Sequence, residues 1–325
     1  MRAAFMEAID DIRSSIILRR IVERLERGDI AGAVRALNLD EAAFRPLEEA
    51  IRQAFNSGGV AAVEQMPALR DPEGYRVVFR FDMLNPVAEA WLREQSATLV
   101  TNIVADQQAA IRTALEDGLA RGDNPTKTAV NVVGRVNRVT GGREGGVIGL
   151  TDQQTDYVAR ACQELLSGDP EALRNYLSRG RRDKRFDRMV AKAQREGRAL
   201  PRETVDRIVG RYSDGLLKLR ADTIALNETF GALGASKDEA FRQRIERGDI
   251  QAQNVTKTWK HTPQERPRFQ HVAMQGQKVR FDQPFMAPDG TPIPYPHAPG
   301  VPMKHTLGCK CFCEYKIDFV AELIG

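Results

Sequence analysis

The placement of histidine and cysteine constrains this chain more than any other feature of its sequence. All four histidines and three of the four cysteines lie after residue 260, in a stretch rich in proline and glycine. Residues 1–260 hold only Cys162 of these two residue types. Because side chains that bind metals or transfer protons are concentrated at one end, we expect specific chemistry there and a scaffold elsewhere.

The first 250 residues carry the patterns of amphipathic helices. Asn85 followed by Pro86 is a strong helix start, because Asn favours the N-cap and Pro the first helical position. Apolar residues then recur in steps of about four as far as residue 119. We therefore expect the longest helix of the chain to run from Pro86 to about Arg121.

Shorter helices are indicated by capping residues. Thr151, with a Gln at the third position after it, has the capping-box pattern, and Asp169 precedes a proline that suits the first helical position. Two further helices are predicted within residues 201–233. A final helix is predicted to open at Ser236 and to end near Gly248.

Residues 259–317 have a different character. The segment from His271 to Phe281 surrounds a Gln-Gly turn and is typical of a β-hairpin. A proline-rich loop follows, and Cys309 to Ile317 reads as a last strand. Since a hairpin alone is marginally stable, we expect this strand to pack with it and to bring His271, Cys309 and Cys311 together.

These patterns predict an α+β fold, with a large, mainly helical N-terminal part that has long helices and a small antiparallel β-rich C-terminal module. The predicted regions are an N-terminal helical arm at 1–84, a helical body at 85–250 and the β-rich module at 251–325. No run of about 18 apolar residues occurs, which predicts no membrane segment. Crowding of the cysteines makes a disulfide framework a poor fit and favours a reducing cytoplasm.

The terminal histidines and cysteines are candidate metal ligands. In an extended strand, alternate residues share a face, so His305, Cys309, Cys311 and Cys313 would project the same way. With His271, they would supply enough ligands for a structural zinc. Two other hypotheses remain open, because buried thiols also act as small apolar groups and a Cys-x-Cys pair could form a strained disulfide. On those hypotheses the chain has no cofactor.

A basic stretch is the second candidate site. Residues 174–198 contain ten Lys and Arg against three acids, and they are densest at Arg181, Arg182, Lys184 and Arg185. Such a surface can contact DNA phosphates or an acidic protein, or it can simply be solvated. Aromatic residues for base stacking are scarce here, so a DNA contact would be non-specific.

Catalytic motifs are missing from the sequence. It contains no Gly-x-Ser-x-Gly, His-Glu-x-x-His or phosphate-binding loop, and no histidine outside the tail that could act as a base. We therefore expect that the chain is not an enzyme.

The order of residues in the tail resembles the C-terminal signature of the phage Mu F-like head morphogenesis (minor capsid) family. That signature pairs a Trp, an Arg-x-x-His, a Gly turn and a terminal Cys-x-Cys, which here are Trp259, Arg268, His271, Gly276, Cys309 and Cys311. The segment from Arg220 to Thr229 is similar to a helix of the same family. Leu226-Asn227 departs from the Arg-Thr usual there, and Cys313 adds a third thiol. The similarity spans residues 85–315.

The resemblance implies a structural minor capsid protein of a tailed bacteriophage or prophage, in low copy and associated with the portal inside the head. Its expected role is capsid assembly and DNA packaging or ejection. The portal protein and the major capsid or scaffolding protein are the implied partners. The alternative is a nucleic-acid-binding protein or a metal-dependent nuclease that uses the His/Cys tail. A nuclease would need an acidic ligand near His271, for which Asp282 and Asp289 are available.

Overall fold

The fold combines long helices with a small antiparallel sheet near the C-terminus. The computed structural model of the chain describes residues 1–68, 70, 73–264 and 267–318. The predicted α+β fold class is confirmed. In the part of the chain that the structure describes, no helix combines the length and apolar character needed to cross a membrane.

Helices form most of the chain before residue 250, and two short helices follow. In order they are α1 (Arg2–Ser15), α2 (Leu18–Glu26), α3 (Ile30–Ala36), α4 (Arg45–Gln65), α5 (Pro86–Ala120), α6 (Pro125–Val133), α7 (Asp152–Ser167), α8 (Pro170–Ser178), α9 (Asp187–Glu196), α10 (Arg202–Glu246), α11 (Phe269–Ala273) and α12 (Met303–Thr306). Short 3-10 turns lie at Glu41–Phe44, Lys184–Phe186 and Ala252–Asn254.

The strands are short and antiparallel. They are β1 (Arg135–Val136), β2 (Arg143–Glu144), β3 (Val255–Lys260), β4 (Lys278–Arg280), β5 (Phe285–Met286), β6 (Pro292–Ile293) and β7 (Phe312–Ile317). The C-terminal sheet has the order β4-β3-β7, so β3 is its central strand. Across the β3–β7 pair, Trp259 lies opposite Cys313.

The chain divides into two compact units. Unit 1 comprises Met1, Leu47–Ala97 and the chain from Thr223 onward, and unit 2 comprises Arg2–Pro46 and Thr98–Asp222. The boundaries of these units differ from the predicted regions 1–84, 85–250 and 251–325, because α5 and α10 each contribute residues to both units.

Helix starts follow the sequence closely. Thr151 forms a complete capping box at the start of α7, and the Asp169 side chain accepts a hydrogen bond from the Ala172 amide at the start of α8. The Asn85 side chain accepts from the Val87 amide, and α5 begins at Pro86 as predicted. Local hydrogen bonds of this kind act within one turn, which is why the sequence predicts them well.

The prediction that α5 is the longest helix was wrong. Helix α10 has 45 residues against 35 in α5, because the predicted helices of 201–248 are continuous. Ser236 does not cap a helix, since its hydroxyl donates to the Leu233 carbonyl within α10. Gly234 does not end one either. A Cβ there would lie 2.9 Å from the Pro296 carbonyl oxygen, so glycine admits the proline-rich loop at this point.

The hairpin predicted for residues 271–281 also differs from the structure. His271 lies in α11, and only β4 remains of the two predicted strands. Strand β4 pairs with β3, which precedes α11 in the chain. His305 lies in α12, and Cys309 and Cys311 precede β7, which starts at Phe312. The predicted last strand is therefore shorter than Cys309–Ile317, and its first residues form the loop that carries the thiols.

A compact apolar core supports the C-terminal sheet. Its buried members are Trp259, Met274, Phe285, Ala287, Ile293, Cys309, Cys311 and Cys313. The Trp259 ring meets the Phe285 ring edge to face, with centroids 5.4 Å apart, which is a favourable aromatic geometry. Cys309, Cys311 and Cys313 are therefore buried as part of this core.

Candidate metal centre

His271, Cys309 and Cys311 converge at one buried point, as the sequence analysis predicted. Their ligand atoms all lie within 4.8 Å of one another. The Nδ1 atom of His271 is 3.4 Å from the Cys309 sulfur and 3.6 Å from the Cys311 sulfur. All three side chains are about 2% exposed or less, so this group could hold a metal ion away from solvent.

Helix α11 brings His271 to this point. The chain leaves β3 and returns to it, since the Gly276 amide donates to the Trp259 carbonyl and the Trp259 amide donates to the Gln277 carbonyl. At the start of α11, the Arg268 guanidinium donates to the Leu307 carbonyl, which follows α12. Gly276 has φ of +81°, a left-handed conformation that favours glycine.

A tight turn after α12 presents the two thiols. Gly308 has φ of +70°, and its amide donates to the Asn227 side chain over 2.8 Å. The Cys309 amide donates to the Thr306 carbonyl, and the Cys311 amide donates to the Cys309 sulfur over 3.3 Å. The turn therefore aims both sulfurs at His271 and supplies one of them with a backbone donor.

Behind His271 lies a series of hydrogen bonds that ends in a carboxylate. The Nε2 atom of His271 is 3.3 Å from Nδ1 of His305, and Nε2 of His305 is 3.0 Å from the Asp289 carboxylate. Both ring nitrogens of His305 are thus engaged. The structure does not bring His305 into the ligand group for which the sequence analysis proposed it, because His271 and Asp289 occupy its two nitrogens.

Asp289 is well anchored at the end of this series. It pairs with Lys304 at 2.7 Å and accepts a hydrogen bond from the Thr291 amide. The hydrogen bond from Lys304, with those from Thr291 and His305, holds the pKa of Asp289 well below its usual range. Asp289 is therefore a permanent acceptor for His305.

The two thiols of the ligand group shift each other's pKa in opposite directions. The hydrogen bond from Cys311 lowers the pKa of Cys309, and His271 acts in the same direction. The same bond raises the pKa of Cys311, where the Thr262 amide and the Trp259 indole act in the opposite direction. One sulfur of the pair thus carries a negative charge readily, which is the state that binds metals.

Trp259 connects this pair to the core. Its ring packs edge to face against the His271 ring, with the ring centroids 5.3 Å apart. Its indole Nε1 is buried and has no hydrogen-bond partner within the described part of the chain.

His261, which the sequence analysis did not single out, lies beside the same pair. It directly follows β3, and its Nδ1 atom is 3.6 Å from the Cys311 sulfur. A signal was available, because His261 and Trp259 are two residues apart and so share one side of an extended chain. Asp289 was named only as a possible acidic ligand of a nuclease, because its bond to His305 depends on contacts across the loop.

Cys313 is not part of the ligand group. It is buried in β7, and its carbonyl accepts a hydrogen bond from Lys237 over 3.1 Å. Burial raises the pKa of its thiol to about 12. Cys313 therefore packs as a small apolar residue, as the sequence analysis considered for the cysteines in general.

The structure separates the four residues of the basic stretch, all of which lie in unit 2. Arg182 forms two hydrogen bonds of 2.9 Å to Asp187, and it also donates to the Arg179 carbonyl. Arg185 pairs with Asp183. Arg181 and Lys184 are exposed, and neither has an ion-pair partner among the residues that the structure describes. Two of the four charges are therefore directed at neighbours within the chain.

Comparison with known proteins gives no match to a protein-family model, to a curated protein or to a solved structure. The resemblance of the tail to the head morphogenesis family therefore depends on the signature residues and on the contacts that they make.

Proposed function

We propose that this chain is a structural minor capsid or head morphogenesis protein of a tailed bacteriophage or prophage. On this proposal it is present in few copies inside the head near the portal and aids capsid assembly and DNA packaging or ejection. The observation that carries the proposal is that four of the six signature residues, which are far apart in the sequence, meet in one buried region, namely Trp259, His271, Cys309 and Cys311.

Each residue of the signature has a contact that the module needs. Trp259 packs on His271, the Gly276 amide donates to the Trp259 carbonyl, and Arg268 donates to the segment that precedes Cys309. A set of residues that depend on one another in this way is expected to occur together in a family with this module. This supports the resemblance more strongly than the same residues would if they lay scattered on the surface.

The helix that resembles the family meets the same module. Asn227, one of the two departures from the family pattern, accepts a hydrogen bond from the Gly308 amide beside the thiol turn. Phe230 stacks on His297 at 6.1 Å, and His297 bonds to the Cys309 carbonyl. Asn227 and Phe230 thus pack with the tail residues within unit 1.

Burial favours a structural role over the nuclease alternative. Catalytic metal sites keep an open coordination position, whereas His271, Cys309 and Cys311 are closed to solvent. The acidic residues that a nuclease would need are otherwise engaged, since Asp289 bonds to His305 and Lys304, and Asp282 lies 3.5 Å from Arg280.

The metal that suits His271, Cys309 and Cys311 best is zinc, and we include a structural zinc in the proposal. Thiolate and imidazole ligands together favour zinc among the common biological cations. Its role would be to join α11 and the thiol turn to β3. Elemental analysis of protein purified without chelator tests this, and we expect one zinc per chain. A metal-free preparation with both thiols reactive would contradict it.

The partners remain those that the resemblance implies, namely the portal protein and the major capsid or scaffolding protein. Arg181 and Lys184 are the basic residues best placed for a non-specific contact with packaged DNA, because they are exposed. The contact would weaken with salt, since it would be made to phosphates.

The proposal is tested in particles. We expect quantitative mass spectrometry of purified heads to find the chain in far fewer copies than the major capsid protein, protected from protease until the head is opened. Deletion of the chain should give heads that package or eject DNA poorly. Infectious, DNA-filled particles that never contained the chain would contradict the proposal.

A further inference from the structure

We propose that the metal centre is a four-ligand site, completed by His261, in which the series His271–His305–Asp289 fixes the ligating tautomer of His271. This inference rests on the zinc role proposed above and names the parts of the chain that would perform it. His261, His305 and Asp289 lie outside the signature, so their participation does not follow from the resemblance.

The separations of the ligand atoms fit a tetrahedral zinc. With Zn–S of about 2.3 Å and Zn–N of about 2.0–2.1 Å, the S···N edges of a tetrahedron are about 3.5 Å long. The observed S···N distances are 3.4 Å for Cys309–His271, 3.6 Å for Cys311–His271 and 3.6 Å for Cys311–His261. These three separations therefore match S···N edges of such a tetrahedron.

His261 is the best candidate for the fourth position. His305 has both ring nitrogens engaged, and Nε2 of His297 bonds to the Cys309 carbonyl. The ring of His261, in contrast, is directed at the Cys311 sulfur. His261 does not lie within 4.8 Å of all three other ligand atoms, so its ring must turn toward them. Its partial exposure leaves room for that rotation and gives the ion a path into the site.

The tautomer of His271 follows from the chemistry of Asp289. An ionised carboxylate can only accept a hydrogen bond, so Nε2 of His305 must carry a proton. In neutral His305, Nδ1 then has the lone pair and must accept from Nε2–H of His271. The Nδ1 lone pair of His271 is thereby left free, and it is this atom that faces the two sulfurs. Asp289 and His305 are thus positioning residues.

The sulfurs are surrounded by donors that suit thiolates. The Cys311 amide donates to the Cys309 sulfur, and the Trp259 indole N–H, which is buried in the same core, has no hydrogen-bond partner in the described chain. A thiolate accepts such bonds better than a thiol does. On binding, the ion would form two Zn–S and two Zn–N bonds, and the thiol protons would leave to solvent. Two thiolates neutralise the charge of Zn²⁺, which a buried site favours.

The ligand assignment is tested on the full chain with zinc and with cobalt as a spectroscopic substitute. We expect His261→Ala to weaken zinc affinity by more than about 100-fold, beyond the range usual for outer residues. His261→Cys should restore affinity and add a third sulfur-to-cobalt charge-transfer contribution. Lys260→Ala, which changes the neighbouring residue but no ligand, is the matched control and should bind as the unaltered chain does.

The positioning role has its own test. We expect Asp289→Asn to lower zinc affinity by about 10–100-fold, as for other outer partners of ligating histidines. The ¹⁵N NMR shifts of His271 should show Nε2 protonated and Nδ1 metal-bound in the unaltered zinc form. In the zinc-free Asp289→Asn chain they should show a mixture of tautomers, whereas a purely structural role would leave them unchanged.

The outcomes separate this inference from the zinc role itself. If the unaltered chain binds no zinc, or if Cys309 and Cys311 form a disulfide under reducing conditions, both proposals are overturned. If it binds zinc and His261→Ala keeps the same affinity and cobalt spectrum, the four-ligand assignment is overturned while the zinc role stands. Unchanged affinity and NMR shifts in Asp289→Asn would overturn the positioning role alone.

Discussion

The His/Cys tail and the basic stretch differ in whether the fold brings their residues together. In the tail, His271 and Cys309 are far apart in sequence, yet their side chains approach to 3.4 Å. In the basic stretch, Arg181 and Arg182 are adjacent, yet Arg182 pairs with Asp187 while Arg181 is left exposed. Crowding in sequence is therefore a poor guide to a shared site, and convergence in space is a better one.

The largest effect is expected from removing a ligand of the tail. We expect Cys311→Ser to lower the free energy of unfolding of unit 1 by more than about 4 kcal/mol, because loss of a metal is among the few changes that cost this much. Thermal denaturation in the presence of zinc measures it. The matched control is Cys162→Ala, a half-buried thiol of unit 2, which should cost much less. Equal effects of the two changes would show that Cys311 contributes no more to stability than a half-buried thiol elsewhere in the chain.

A smaller effect is expected from the turn that presents the thiols. Gly308 has φ of +70°, and we expect Gly308→Ala to cost about 1–2 kcal/mol of stability, the usual cost of this conformation for other residues. A Cβ at this position would meet nothing within 4 Å, so the cost would come from the backbone alone. Gly180, which has no such φ and equally open surroundings, is the control. Denaturant unfolding compares the two changes. If Gly308→Ala leaves the stability unchanged, the turn does not require glycine.

The basic stretch should respond unevenly to single changes. We expect Arg182→Ala to destabilise the chain by about 1–2 kcal/mol, because Asp187 then loses two charge-assisted hydrogen bonds. Arg181→Ala should stay within about 0.5 kcal/mol, as usual for exposed residues. Chemical denaturation measures both. If the two changes have the same effect, the distinction between the paired and the exposed charge fails.

The smallest effect on stability is expected where a functional contact is proposed. The double change Arg181→Glu and Lys184→Glu should leave the free energy of unfolding within about 0.5 kcal/mol of the original. It should weaken salt-sensitive binding to duplex DNA, measured by fluorescence anisotropy at low salt, if these charges contact packaged DNA. Unchanged binding would show that these charges do not contact DNA and are only solvated.

Local signals in the sequence predicted the helix starts and the change of architecture near residue 250. Caps such as Thr151 act within one turn and can be recognised without knowledge of the fold. Ser236 has the same local pattern but lies inside α10, because packing decided between two locally acceptable conformations. The length of α10 was therefore beyond what caps and periodicity can predict.

The candidate site was predictable in part. His271, Cys309 and Cys311 were identified by residue type and by the expectation that a third strand completes the sheet. The strand assumed for His271 was wrong, because Gly276 returns the chain to β3 through a helical turn. His305 and Asp289 could not be placed, since their positions depend on the path of the proline-rich loop. Side chains behind a ligand leave no periodic signal in the sequence.

X-ray absorption spectroscopy at the zinc edge of the purified full-length chain tests the central claim most directly, because it reports which atoms surround the ion. We expect two sulfur ligands at about 2.3 Å and two nitrogen ligands at about 2.0–2.1 Å, from Cys309, Cys311, His271 and His261. A chain with no bound zinc, or a zinc shell without sulfur, would contradict the account.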